Sequence, residues 1–211
     1  MLVSIAATPG LDASAPARQL TRRCDAARHA PSPAAKARLP MLVSTDHPID
    51  PPEDPMDAIA LLEADHVRIK RLLAELEETT ERAVRTREEL FATIKGVLTL
   101  HEVVEEEIFY PELKAHPKSE DAVLEGFEEH HVVDVLMGEL ESLPVTDERW
   151  GAKATVMREN VEHHIGEEEG ELFDQARKAF DRDELEDLGR RMADRKVTAG
   201  IELGIPVPVG G

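Results

Sequence analysis

The chain has 211 residues, which is the length of one ordinary domain with or without tails. It carries 25 Lys and Arg against 44 Asp and Glu, a net charge of −19, and only 3% of its residues are aromatic. This balance excludes a nucleic-acid-binding protein, which would show basic surface and stacking aromatics, and it disfavours adsorption to anionic membranes.

The first 55 residues are predicted to form a disordered leader rich in Pro, Ala and Arg. Residues 1–40 carry a net charge of +4, whereas residues 41–211 carry −23. A transit peptide and a translation start at Met41 are alternative interpretations of this segment. Cys24 is the only cysteine, which excludes an intramolecular disulfide and a thiolate metal cluster. Because we find neither a secretory signal nor an apolar run of about 20 residues, we expect a cytoplasmic protein without a membrane span.

Residues 56–196 are predicted to form an all-α domain, because apolar residues recur at helical spacing between turn signals. Pro111 is expected to kink the end of the second helix, and residues 197–211 are expected to form a loose tail. The sequence therefore predicts a four-helix bundle with a short additional C-terminal helix. The four main helices are expected over residues 56–79, 86–115, 119–143 and 147–179, and the short fifth over residues 183–196.

The most informative feature is a helical hairpin that occurs twice in the chain. The first helix of each hairpin begins an apolar stripe with a histidine, and the second helix carries the motif His-x-x-x-Glu. The two copies are offset by 64 residues in the first helix and by 63 in the second. The repeated positions are His66, His101 and Glu105 in the first copy, and His130, His164 and Glu168 in the second.

The spacing of these residues predicts a metal site. Residues four apart project from one helix face, so the histidine and glutamate of each motif can reach the same point. Alone, a histidine on an apolar stripe is usually a core residue, and a run of glutamates is usually a solvated face. Here both copies of the repeat place a carboxylate beside a histidine on an apolar stripe. An unpaired buried carboxylate costs several kcal/mol, so these carboxylates are expected to have a partner. Imidazole and carboxylate together suit iron, manganese or zinc, and helical bundles commonly assemble such sites from facing helices.

Helix phase separates the doubled histidines. Steps of three or four from His130 meet a nearly unbroken apolar stripe, whereas the same steps from His131 also meet polar residues. His164 likewise shares its face with apolar residues, and His163 shares its face with polar ones. His130 and His164 are therefore expected to point inward, with His131 and His163 as second choices. The remaining histidines are expected to be solvent-exposed: His29, His47 and His116.

In these residues the chain resembles the hemerythrin-like, HHE cation-binding domain family. The stretches EEEIFYP at 105–111 and EEEGELF at 167–173 also look like the second and fourth helices of that family. The resemblance covers about residues 56–180. It implies an up-down-up-down bundle around two non-heme iron ions, bridged by an oxo or hydroxo group and two carboxylates, with manganese or zinc as lesser alternatives. Carried over by motif, His66 and His101 would bind mainly one iron, His130 and His164 the other, and Glu105 and Glu168 would bridge them.

One position departs from the family pattern. Oxygen-carrying hemerythrins have a second histidine one turn after the first on the third helix. Here the residue four after His130 is Asp134, and the residue four after His131 is Val135. Asp134 would either ligate a metal or lie at the helix edge and leave the site short of one histidine. The difference argues against reversible oxygen transport and leaves the second iron more open to a small ligand.

The resemblance implies a di-iron protein that handles a small ligand such as oxygen, nitric oxide or peroxide. One alternative is a di-iron enzyme that consumes peroxide in a catalase-like manner. Another is an iron-storage or iron-responsive regulatory bundle. A helical bundle with a structural metal, or with none, is the simplest alternative. The sequence indicates no protein partner.

Overall fold

The computed structural model describes residues 56–206, and every regular element within them is helical. π-Helical turns at Glu105–Phe109 and Glu168–Leu172 join α2 to α3 and α5 to α6 without a break, so this part of the chain forms five long helices. The all-α prediction is confirmed, and none of the helices in this range is long and apolar enough to cross a membrane. The predicted leader and residues 207–211 lie outside the described residues. The helices are α1 (Ala58–Glu77), α2 (Val84–Val104), α3 (Tyr110–Lys114), α4 (Glu120–Glu141), α5 (Glu148–Glu167), α6 (Phe173–Ala179) and α7 (Arg182–Leu203).

Two apolar clusters fill the bundle, and a polar layer lies between them. One cluster contains Leu62 of α1 and Phe173 of α6, and the other contains Ile69 of α1 and Met157 of α5. His66 lies between Leu62 and Ile69 along α1. The repeated histidines therefore occupy a layer that apolar side chains shield from solvent on both sides.

The prediction of a short fifth helix is wrong. This helix has 22 residues and packs against α1 and α2. It begins after Asp181, whose side chain forms a capping box with Glu184. Residues 197–203 are helical rather than loose because Ala199 and Gly200 are buried. The helix ends at Gly204, whose φ of 66° is the left-handed conformation that glycine adopts readily. The helix extends past its predicted end at residue 196 because packing on α1 and α2 outweighs the low helix propensity of Gly200.

A close approach of α7 to the start of α1 requires Gly189. A Cβ atom at Gly189 would lie 2.3 Å from the carbonyl oxygen of Met56. Since this neighbour is backbone, Gly189→Ala is expected to lower the free energy of unfolding by about 1–3 kcal/mol. The control is Gly138→Ala in α4, where a Cβ would meet nothing within 4 Å and helix propensity should raise stability by about 0.5–1 kcal/mol. Denaturant titration measures both, and a Gly189→Ala protein as stable as the wild type would contradict this packing of α7.

Candidate metal centre

The first half of the polar layer combines both hairpins. The Nε2 atom of His66 in α1 lies 3.1 Å from Oε2 of Glu168, at the junction of α5 and α6. The Nε2 atom of His101 in α2 lies 3.3 Å from Oε2 of Glu105. All four side chains are buried, and one donor atom from each lies within 4.8 Å of the others. Two imidazoles and two carboxylates therefore converge on one point.

The second half uses the same two carboxylates with the other pair of histidines. The Nε2 atom of His130 in α4 lies 3.4 Å from Oε2 of Glu105, and that of His164 in α5 lies 3.5 Å from Oε2 of Glu168. The two Nε2 atoms are 3.1 Å apart. Donor atoms of Glu105, His130 and His164 lie within 4.8 Å of one another. Glu105 thus belongs to both donor sets.

Buried polar atoms without hydrogen-bond partners are concentrated in this layer. They include Nε2 of His66, both ring nitrogens of His101, both oxygens of Glu105 and Oε2 of Glu168. Buried lone pairs and charges of this kind are costly unless they are satisfied. A bound cation would satisfy the acceptors that face the centre, and Nδ1 of His101 faces Asp65 instead, so the residues present fit a metal ion.

The outer nitrogen of each histidine, Nδ1, faces a carboxylate on another part of the bundle. An Nδ1–H group that donates to a carboxylate leaves the Nε2 lone pair directed at the centre, the arrangement that metal-bound imidazoles adopt. These carboxylates were not predicted from the sequence, although each is the chain neighbour of a predicted ligand and they follow the same repeat offsets. The pairs are His66–Glu169 at 3.0 Å, His101–Asp65 at 3.5 Å, His130–Glu106 at 2.9 Å and His164–Glu129 at 2.8 Å.

The electrostatics of the layer link cation binding to proton release. Burial and the neighbouring carboxylate of Glu168 raise the pKa of Glu105 well above its ordinary value. For Glu168 itself, burial would raise the pKa, but the surrounding imidazoles, foremost that of His164, lower it below its ordinary value. Burial alone would lower the pKa of His130, but hydrogen bonds to Glu105 and Glu106 raise this pKa to about 11. The cluster without a cation therefore holds protons at neutral pH, and a bound cation would replace them.

Both π-helical turns begin at a glutamate of the centre. The backbone N–H groups of Tyr110 and Phe173 donate to the carbonyl oxygens five residues earlier, one wider turn than an α-helix makes. Each aromatic residue follows its glutamate by five positions and is fully buried. The irregularity precedes Pro111, where a kink was predicted, and the second turn contains no proline. The shared cause is therefore the repeated motif and not the proline, and π-turns often occur at functional sites.

Tyr110 breaks the symmetry of the two halves. Its ring stacks on His130 with centroids 5.6 Å apart, and the equivalent Phe173 stacks on His66 at the same separation. Only Tyr110 has a hydroxyl, which donates a hydrogen bond of 2.8 Å to Oε1 of Glu168. Tyr110 therefore fixes the orientation of one central carboxylate.

Removing this hydroxyl gives a direct test of its positioning role. Tyr110→Phe is expected to weaken metal binding by about 10- to 100-fold, because Glu168 loses the donor that orients it. Competition with a chelator measures the change in affinity. The ring packing against His130 is retained, so unfolding temperature without metal should change little. An unchanged metal affinity would contradict a positioning role for Tyr110.

The remaining candidates lie outside the layer or were missed. His131 and Asp134 are exposed on α4, and Asp134 therefore lies at the helix edge and not among the buried donors. His116 was expected to be exposed but is half-buried against Phe180, with ring centroids 5.0 Å apart. Glu102, the neighbour of His101, was not predicted as a site residue, but it is buried, and burial raises its pKa to about 7. His29 and His47 lie outside the described residues.

Comparison with known proteins finds a family model and a solved structure that are similar to this chain. The profile of a family described as "Hemerythrin HHE cation binding domain" matches residues 57–176, more than half of the chain. A crystal structure of a hemerythrin HHE cation binding domain-containing protein from Mycobacterium kansasii superposes with a TM-score of 0.61 at 25% sequence identity. The match covers 70% of this chain and 92% of that protein. No curated protein is significantly similar to the chain.

Proposed function

Because the chain belongs to the hemerythrin HHE cation-binding domain family, we propose that its buried histidine–glutamate cluster binds two non-heme iron ions. The observation that carries this proposal is the pair of donor sets that share Glu105. His66 and His101 would hold one ion, and His130 and His164 the other. Glu105 and Glu168 contact histidines of both halves, which supports a role for them as bridges between the ions. Imidazole with carboxylate is a donor set that iron accepts readily, with manganese and zinc as competitors.

A small ligand has a path to the second half of the centre. A cavity of about 280 Å³ is lined by Tyr110, His164 and Glu168 and opens between α4 and α5. Bound iron would supply redox chemistry towards oxygen, nitric oxide or peroxide. The residues of the chain exclude bulk water through the two apolar clusters, and Tyr110 holds Glu168 in place.

Consumption of peroxide is the second candidate function. On the described residues, the second half has two histidines and no third, because Asp134 points away to solvent. The cavity reaches this half. A centre with fewer protein donors and an open path favours exchange of ligands over reversible carriage of oxygen.

Optical spectroscopy and oxygen measurement distinguish these functions. Protein loaded with Fe²⁺ and exposed to air is expected to develop a near-ultraviolet absorption band that a reductant removes, whereas a Glu105→Gln/Glu168→Gln variant should lack the band. Repeated evolution of oxygen from added peroxide, with the band retained, would establish the enzyme. A stable oxygen adduct that is reversed under vacuum would instead establish a carrier. Absence of any iron-dependent band in the wild-type chain would refute the proposed centre.

A further inference from the structure

The internal repeat gives the bundle two equivalent faces. Helix α7 packs on one of these faces, and the side chains of the other are exposed. Positions 100 and 104 of the first copy correspond to positions 163 and 167 of the second. In the first copy these residues are Leu100 and Val104, both buried, and Val104 shares an apolar cluster with Met192 of α7. In the second copy they are His163 and Glu167, and the side chain of His163 is 67% exposed. Helix α7 therefore covers one face with apolar contacts. The equivalent face instead carries an imidazole and a carboxylate at the surface.

These two side chains form a compact donor set with Glu129 of α4, which is half-buried. The Nε2 atom of His163 lies 3.2 Å from Oε1 of Glu167 and 3.8 Å from Oε1 of Glu129. Donor atoms of the three residues lie within 4.8 Å of one another. The second oxygen of Glu129 accepts a hydrogen bond of 2.8 Å from Nδ1 of His164. Glu129 thus contacts a surface histidine with one oxygen and a buried histidine with the other.

A cavity leads from this donor set to the buried centre. Glu129 and Glu167 line the cavity of about 280 Å³ that also reaches His164 and Glu168. Glu168 is 2% exposed, and its Oε2 atom has no hydrogen-bond partner. Gly166 also lines the cavity, and a Cβ atom there would meet nothing within 4 Å. The cavity is therefore lined both by a buried glutamate with an unsatisfied acceptor and by the two carboxylates that His163 contacts.

We propose that His163, Glu167 and Glu129 form an outer cation site that captures a divalent transition-metal ion and delivers it to Glu168 and His164. The proposal rests on the buried metal centre as the destination of the ion. Capture exchanges metal-bound water for one imidazole nitrogen and two carboxylate oxygens, and no electrons are transferred. The outer donors are few, and His163 and Glu167 are exposed, so the ion is held weakly there and moves to the larger buried donor set. Clustered carboxylates at the mouth of a cleft also raise the local cation concentration.

The rate of metal loading tests the outer site independently of the final occupancy. Metal-free full-length protein is mixed with Fe²⁺ without oxygen and quenched with excess chelator at increasing times, and the iron retained by the protein is measured. His163→Ala and Glu167→Gln are each expected to slow loading by about tenfold or more. The final iron content should stay that of the wild type. Both side chains are exposed, so neither change should disturb the core.

Matched controls and two outcomes decide the proposal. His131→Ala and Glu128→Gln remove the same groups from exposed positions of α4 outside the donor set, and should load within twofold of the wild type. Loading by the His163 and Glu167 variants at the control rate overturns the outer site and leaves the buried centre intact. A lower final iron content in these variants also overturns it, because they would then be ligands of the centre. A wild-type chain that takes up no iron overturns the buried centre and the outer site together.

Discussion

Replacing Glu105 or Glu168 by glutamine is expected to lower the bound iron from about two ions per chain to less than one. Each glutamate contacts histidines of both halves of the centre, so its loss removes a donor from both proposed sites. Glutamine keeps the volume and packing of the side chain but removes the negative charge that balances the cations. Metal analysis of the purified variants measures the effect.

The stability of the metal-free variants separates loss of metal from loss of fold. Burial raises the pKa of Glu105, so a charge at this position is unfavourable in the empty protein. Glu105→Gln should therefore unfold without metal at the same temperature as the wild type or at a higher one. Glu107→Gln is the control, because Glu107 lies in the same π-helical turn but is exposed and paired with Arg195. Retention of both ions by the Glu105→Gln/Glu168→Gln protein would contradict the assignment of these residues.

Replacing His130 by alanine is expected to remove at least half of the bound iron, while His131→Ala should keep all of it. His130 is buried, with Nε2 3.4 Å from Glu105 and Nδ1 2.9 Å from Glu106, whereas its neighbour His131 is exposed. The two variants remove the same side chain at adjacent positions, so each is the control for the other. Metal analysis after loading with Fe²⁺ gives the comparison.

Two alternative results of this pair would be informative. Equal iron content in both variants would mean that the second half of the centre does not depend on His130. Loss of iron from His131→Ala alone would mean that α4 is rotated relative to the structure. Far-ultraviolet circular dichroism of the His130→Ala protein checks that its helices remain formed.

The sequence could predict which histidines point inward, because helical periodicity determines the face on which each residue lies. Counting in steps of three and four separates the buried His130 from the exposed His131, and His164 from His163. Each His-x-x-x-Glu motif ends at the first residue of a π-helical turn, so the wider turn does not disturb the spacing within the motif. These parts of the pattern depend only on local helix geometry, which the sequence determines well.

The carboxylates that face Nδ1 of the buried histidines, and the full length of α7, could not be predicted from the sequence in the same way. Glu106 and Glu169 belong to runs of glutamate, which are usually solvated, and only the tertiary fold shows which histidines they reach. The π-helical turns change the helix face on which the following residues lie, and no local pattern in the sequence predicted these turns. Helix α7 continues past Gly200 because tertiary packing on α1 and α2 outweighs the low helix propensity of glycine.

Metal analysis of the purified full-length chain, with an optical spectrum in air and after reduction, tests the central claim most directly. A chain with two iron sites that share Glu105 and Glu168 should contain about two irons per molecule. It should also show a near-ultraviolet band that disappears on reduction. A chain that contains no iron after exposure to Fe²⁺, or that binds iron equally well without Glu105 and Glu168, would contradict the proposed centre.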